Sequence, residues 1–270
     1  MSENDNFKQD LAKLIPEVNL TSWSEYRDAS AYQKHFMHYA PVGERVYYEA
    51  PTDKFRVMLQ ASRGNTFTGA PVESQISDAQ TKLMQPLERF DKIRYDELLK
   101  FDEILRRDDE LPIFSSSENF VEIGFRFPKL LQHYEASGLV KNAIGYDVVP
   151  SNVALGRALG FNTGMIDLMH DEKFPDIHDA SIIVAYHVFE HISDPYGALC
   201  KLREVVSPLS YLHIEVPIEN DAPSLQAGHL FGFHSGDLNL MLKEAGWSVR
   251  HTAYENIIGQ SERCFASPVT

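Results

Sequence analysis

His187, Glu190 and His191 stand in the spacing H-x-x-E-H, which sets two imidazoles and a carboxylate side by side. Such donors suit a zinc ion, and the glutamate suits a base that activates water. That chemistry needs both histidines on one helical face and a third ligand downstream. The flanking residues do not provide the helix. Ile182-Ile183-Val184-Ala185-Tyr186 just before is a β-rich apolar run, and Asp194-Pro195 opens a new element soon after His191. The segment is therefore expected to end a buried strand and turn into a loop. No metal ligand is assigned, and a zinc hydrolase stays only as a lesser alternative.

The elements that must position these residues follow from periodicity. Strands are expected over 120–124, 143–148, 181–186 and 211–216, and helices over 128–137, 151–159, 195–206 and 235–245. Ser151 and Ser235 are the expected N-caps, and Gly246 closes the last helix. Residues 248–253 and 264–266 fit a terminal hairpin closing the sheet. This alternation predicts an α/β chain with a doubly wound, mostly parallel seven-stranded sheet, whose ligands bind at the carboxyl ends of the strands.

Upstream, Leu83, Leu87, Phe90, Leu98, Phe101 and Leu105 recur at helical spacing over 77–107, with Pro86 as a break. Residues 1–110 are read as an N-terminal extension that is a lid or a dimerisation element, and 111–270 as the main domain. The first part is dense in aromatics, among them Trp23, Tyr26, Tyr32, Phe36, Tyr39, Tyr47, Tyr48 and Phe55. They pack the extension down or wall a substrate pocket.

The chain has 270 residues, 43% of them apolar, enough for a core without disulfides. Cys200 and Cys264 are expected as free thiols. The polar, acidic start lacks the layout of a signal peptide, and no apolar run approaches the roughly 20 residues that span a bilayer. A cytoplasmic protein is the expectation. Acidic residues outnumber basic ones 39 to 25, for a net charge of −14, and no basic cluster marks a nucleic-acid footprint.

The strand ends carry the remaining chemistry. They are Val121-Glu122-Ile123-Gly124, Gly145-Tyr146-Asp147 and Tyr186-His187. An acid ending the second strand of such a sheet suits the two hydroxyls of a ribose. Residues 119–252 resemble the class I S-adenosylmethionine-dependent methyltransferases, in particular the small-molecule and sugar O-methyltransferase-like branch. The resemblance rests on Val121–Gly124 as a glycine-rich motif and on Ile144-Gly145-Tyr146-Asp147-Val148-Val149-Pro150 as a ribose motif with the Ala154-x-x-Arg157-Ala158-x-Gly160 helix behind it. It extends through His187–Pro195, through Leu202–Val206 with His213–Pro217, and through His229–His234 with Leu238, Leu242 and Gly246.

The resemblance implies a Rossmann-like methyltransferase fold, S-adenosyl-L-methionine as cofactor and a small-molecule acceptor such as a sugar or metabolite hydroxyl. It implies that Glu122 acts through the cofactor's amino group or through loop amides, and that Gly124 admits the cofactor's close approach. Asp147, with Val148, would hold the ribose, and Asp167 and Leu168 would flank adenine, with Asp171 as a rival. Tyr186 and His187 would lie near the methionine moiety. A hydroxyl acceptor also calls for a base, and His229, His191 and His234 are the candidates.

The family's motif continues as glycine, any residue, glycine, whereas this chain has Gly124-Phe125-Arg126-Phe127-Pro128. Pro128 suits the first turn of a helix. Arg126 either swings away, or reaches the cofactor carboxylate or an anionic substrate group, or marks a pocket that no longer takes the cofactor. The last case defines the alternative function, a non-catalytic methyltransferase-fold protein that binds a partner.

Overall fold

The computed structural model describes residues 17–20, 45–48, 71–114, 119–169, 171–192, 194–219, 229, 231–255 and 260–269. A small antiparallel pair joins β1 (Glu17–Leu20) to β2 (Arg45–Tyr48). Tyr47 and Tyr48 fall in β2. Trp23, Tyr26, Tyr32, Phe36, Tyr39 and Phe55 lie outside the described residues, and so does the role expected of them.

Two helices precede the main sheet, α1 (Glu73–Leu83) and α2 (Arg89–Arg107). The break between them spans Pro86, whose ring cannot continue a helix. The main sheet comprises β3 (Asn119–Ile123), β4 (Asn142–Asp147), β5 (Asn162–Met165), β6 (Ala180–Tyr186), β7 (Tyr211–Pro217), β8 (Trp247–Glu255) and β9 (Ser261–Pro268). The strand order is β5-β4-β3-β6-β7-β9-β8. The pairings from β5 through to β7 are parallel, and β9 runs antiparallel to both β7 and β8. Between the strands lie α3 (Lys129–Ser137), α4 (Pro150–Ala158), α5 (Pro195–Val205) and α6 (Asp237–Glu244). This is the doubly wound, mostly parallel seven-stranded sheet that the alternation predicts.

Period two sorts the strand residues onto two faces. Val121, Ile123, Ile183, Ala185, Leu212, Ile214, Cys264 and Ala266 join one apolar cluster with Leu199 and Leu202 of α5 and Leu238 and Met241 of α6. Phe120, Ile182, Val184, Tyr211 and Phe265 face the other way, with Leu98 and Leu105 of α2 and Leu130 and Leu131 of α3. By the same alternation Glu122, Tyr186, His213, Glu215 and Arg263 point to the α2 side. Phe101 of α2 stacks on Phe265 at 4.5 Å between ring centroids, which seats α2 across β7 and β9.

Both expected serine caps are replaced. The first helix of the pair begins at Pro150 with Val149 as N-cap, because Asp147 Oδ1 already accepts the Val149 N–H (2.8 Å) and the fixed φ of proline starts the turn. At the second, Gly236 with φ +89° is the N-cap. Glu262 of β9 accepts from Gly236 N (2.8 Å) and Asn239 N (3.2 Å), so a strand caps the helix from across the fold. Pro128 likewise becomes the N-cap, and helix α3 starts at Lys129. No helix among the described residues is long and apolar enough to cross a membrane.

Candidate active site

The chain builds β3, β4 and β5 outward on one side and then returns to place β6 against β3. At that switch point, past the carboxyl ends of β3 and β6, lies a cleft of about 620 Å³. Glu122, Gly124, Arg126, Tyr186, His187 and His191 line it, and α1 and α2 contribute Lys82, Asp91 and Arg94.

Glu122 is buried, and its Oε2 has no hydrogen-bond partner. Burial pushes its carboxyl well above the usual range, Asp91 and Asp147 add to that, and Arg94 opposes it. Gly124 has φ +76°, and a Cβ there would collide with the Val188 side chain. Only glycine meets both conditions. Arg126 adopts φ +44°, a left-handed conformation that costs a non-glycine residue about 1–2 kcal/mol. The turn is held by Asp147, whose Oδ2 accepts the Arg126 N–H at 2.9 Å.

Asp147 is therefore engaged inside the fold. Besides Arg126 it accepts from Val149 N and from Asn152 Nδ2 (3.0 Å), and it is 1% exposed. Asp147 and Val148 do not line the cleft, and neither do Asp167 and Leu168. Asp167 Oδ1 accepts from Met169 N at 3.0 Å, its own N–H donates to Asp171 Oδ2 at 2.6 Å, and Leu168 packs into the core. The loop turn at Asp167 and Asp171 closes on itself. Phe125, at the first non-glycine position of the motif, inserts into the core, where its ring abuts the Cα side of Gly145.

His187 sits directly after β6 with φ +54°, and its N–H donates to Glu215 O at 2.9 Å. Its Nε2 lies 2.9 Å from Glu215 Oε1 and its Nδ1 3.4 Å from Glu190 Oε1. Burial works against the imidazolium, but the two carboxylates outweigh it and raise the pKa to about 9. H-x-x-E-H does not form a helix here. Phe189–His191 is a single 3₁₀ turn, so His187 and His191 do not share a helical face.

A charge network that the sequence reading missed closes the α2 side. Arg94 Nε and Nη2 donate to Glu215 at 3.1 and 2.7 Å, and Arg263 Nη1 adds a bond of 2.7 Å. Arg263 Nε also donates to Glu97. The Arg94 guanidinium lies 4.4 Å from the centre of the Tyr186 ring, and the Tyr186 hydroxyl pairs with His213 Nδ1 at 2.8 Å. Burial opposes the Glu215 carboxylate, yet His187, Arg94 and Arg263 hold it far below the usual range. A signal for Arg94 exists in the sequence, since it stands four residues from both Phe90 and Leu98, on the apolar stripe.

The three candidate bases separate. His191 lines the cleft. His229 is buried, its ring meets that of His191 edge-on at 5.0 Å, and its Nδ1 is 3.0 Å from Glu219 Oε2. His234 does not line the cleft, and its N–H donates to Asp237. Glu190, His191 and His229 each offer a ligand atom, all within 4.8 Å of one another.

The fold is the Rossmann-like methyltransferase fold, with a seven-stranded mixed sheet between helices. A solved structure of a candidate methyltransferase from Bacillus halodurans C-125 matches with a TM-score of 0.50 at 13% identity, over 65% of this chain and 100% of that one. A candidate methyltransferase complex with the Trm112 methyltransferase activator, from Haloferax volcanii, matches with a TM-score of 0.49 at 12% identity, over 69% and 100%. An S-adenosylmethionine-dependent methyltransferase from Mesorhizobium loti matches with 0.47 at 13% identity, over 61% and 96%. No family model matches the sequence, and no curated protein does.

Proposed function

We propose that this chain is an S-adenosyl-L-methionine-dependent methyltransferase, cytoplasmic, acting on a hydroxyl of a small molecule such as a sugar or metabolite. One observation carries the reading. The cleft at the switch point of a methyltransferase-type sheet has at its floor a buried carboxyl oxygen, Glu122 Oε2, with no partner inside the protein. Buried polar atoms are nearly always paired, so an orphan on a cleft-lining side chain calls for a ligand donor. The cofactor's ammonium group is such a donor. Beside it Gly124 allows close approach of the backbone, and Tyr186 and His187 wall the same side. When bound, the cofactor supplies the electrophilic methyl group. The chain's own residues orient the acceptor, and Asp91 and Arg94 of α2 screen the cleft from water. Of the candidate bases, His191 has access to an acceptor in the cleft.

In the extension 1–110, the part from 71 onward then closes the cleft, since Lys82, Asp91 and Arg94 belong to it. Dimerisation through it predicts a mass of two chains in light scattering, and a lid alone predicts one.

A second reading is favoured by Asp147, whose carboxylate is already taken by Arg126, Val149 and Asn152. On that reading the fold persists as a non-catalytic binding protein. Titration calorimetry with S-adenosylhomocysteine decides between them. Micromolar binding that is lost in Glu122→Ala supports the enzyme, and no heat at millimolar ligand refutes it.

A further inference from the structure

Among the described residues, Glu190 is the side chain whose two carboxylate oxygens are both buried without a hydrogen-bond partner. It is 1% exposed, and three imidazoles surround it. A carboxylate that needed only a counter-charge would draw the nearest imidazole into a hydrogen bond. Instead His187 Nδ1 stands 3.4 Å away outside bonding geometry, and His191 Nε2 stands 3.8 Å away. The ligand atoms of Glu190, His191 and His229 lie within 4.8 Å of one another. Donors around one transition ion with bonds of about 2.0–2.2 Å stand roughly 3–4 Å apart, so closure needs only a small inward shift.

The surroundings have the form of a metal ligand's support. Glu219 is buried and holds His229 Nδ1 at 3.0 Å, which leaves Nε2 as that ring's donor to a metal. The loops are tied together as well. Phe231 N donates to Glu190 O at 3.1 Å, and Glu219 N donates to Phe233 O at 2.8 Å. His187, which the H-x-x-E-H spacing alone would enlist, is held by Glu215 instead.

We propose that Glu190, His191 and His229 bind a divalent transition ion of the zinc class, with Glu219 as the residue that orients His229. Two imidazoles and one carboxylate are a ligand set that leaves a coordination position open. His191 also lines the cleft, so the ion stands at its edge. A further role rests on the methyltransferase reading. With the ion bound, an acceptor hydroxyl in the open position would be made more acidic and would give its proton to water, so that His191 would serve as a metal ligand in place of acting as the base.

The experiment titrates the full chain, stripped of metal, with Zn²⁺ and with Co²⁺, following heat and the cobalt absorption bands. One ion per chain is expected. Glu219→Gln should weaken binding about 10–100-fold, and Glu190→Gln and His229→Ala at least as much. His178→Ala, at an exposed histidine, should leave it unchanged. His191→Ala, at the cleft edge, provides a further ligand deletion, and thermal unfolding of every variant without metal separates lost ligands from lost folding. Absence of stoichiometric binding, or binding that survives in folded Glu190→Gln and His229→Ala chains, overturns the proposal. S-adenosylhomocysteine titrated separately keeps the readings apart. Cofactor binding without ion binding refutes the metal site alone, and ion binding without cofactor binding refutes the methyltransferase alone.

Discussion

Glu215 and Glu190 are both buried carboxylates next to His187, and the protein treats them in opposite ways. Glu215 takes charge-assisted hydrogen bonds from Arg94, Arg263 and His187. Glu190 has imidazoles around it and a hydrogen bond from none. The first belongs to the seam between α2 and the sheet, where every charge is answered from within. The second is buried beside His187 and His191, which line the cleft together with Glu122. A saturated network holds two elements together, whereas an unsaturated one at a cleft is kept for something that arrives. On the two proposals above, stability and binding fall to different carboxylates, one at each ring nitrogen of His187.

The largest effect expected is on stability. Glu215→Ala removes the acceptor that Arg94 and Arg263 share, leaving them Asp91 and Glu97, and should cost about 3–5 kcal/mol in urea unfolding at neutral pH. Glu190→Gln should cost no more than about 1–2 kcal/mol, since no hydrogen bond is lost. Equal losses would erase the distinction between the two sites.

Acid sharpens the same contrast. The pKa of Glu215 is depressed in the folded state, so its contribution is fully present above the unfolded glutamate value near about 4.3 and is lost as pH falls below it. Stability should therefore drop between roughly pH 5 and pH 3. Unfolding curves of Glu215→Gln across that range should be flatter than those of the parent, and parallel curves would count against Glu215 as the acid-sensitive group.

Glu122→Gln should unfold within about 1 kcal/mol of the parent, because burial already favours the neutral carboxyl. Its affinity for S-adenosylhomocysteine should fall tenfold or more, as expected for the loss of a charge-assisted bond of about 1.5–3 kcal/mol. Unchanged affinity by calorimetry would remove Glu122 from the binding floor.

The smallest effect is expected at Arg126. Glycine relieves a left-handed strain of about 1–2 kcal/mol and gives back most of it through the entropy of the unfolded chain. Arg126→Gly should shift stability by less than about 1 kcal/mol. A rise in cofactor affinity would mark the arginine as an obstruction, and a fall would mark it as a contact.

Much of the scaffold was legible in the chain. Alternating apolar runs and helical periods marked the strands of the main sheet other than β5, and the break at Pro86. Among the site residues, Glu122, Gly124, Tyr186 and His187 were legible because strand ends in such a sheet converge on its switch point. Arg94 was legible in principle, as a cation on an apolar stripe. The helix N-caps were not, although Gly246 closes the last helix with φ +84° as expected. Local serine signals gave way to Asp147, which folds back on its own loop, and to Glu262, which reaches the α6 terminus from β9.

By itself, the sequence determined the order of elements and placed Glu122, Gly124, Tyr186 and His187 at strand ends. Those follow from local periods and local sterics, which act over a few residues. Only the tertiary structure decided the partners. It turned Asp147 inward to hold Arg126, gave Glu215 to Arg94 across 121 positions, and brought His229 beside Glu190 and His191 instead of pairing His187 with His191. The physical reason is that a side chain's charge is answered by whatever the packed fold sets within about 4 Å, and sequence spacing carries no record of that distance.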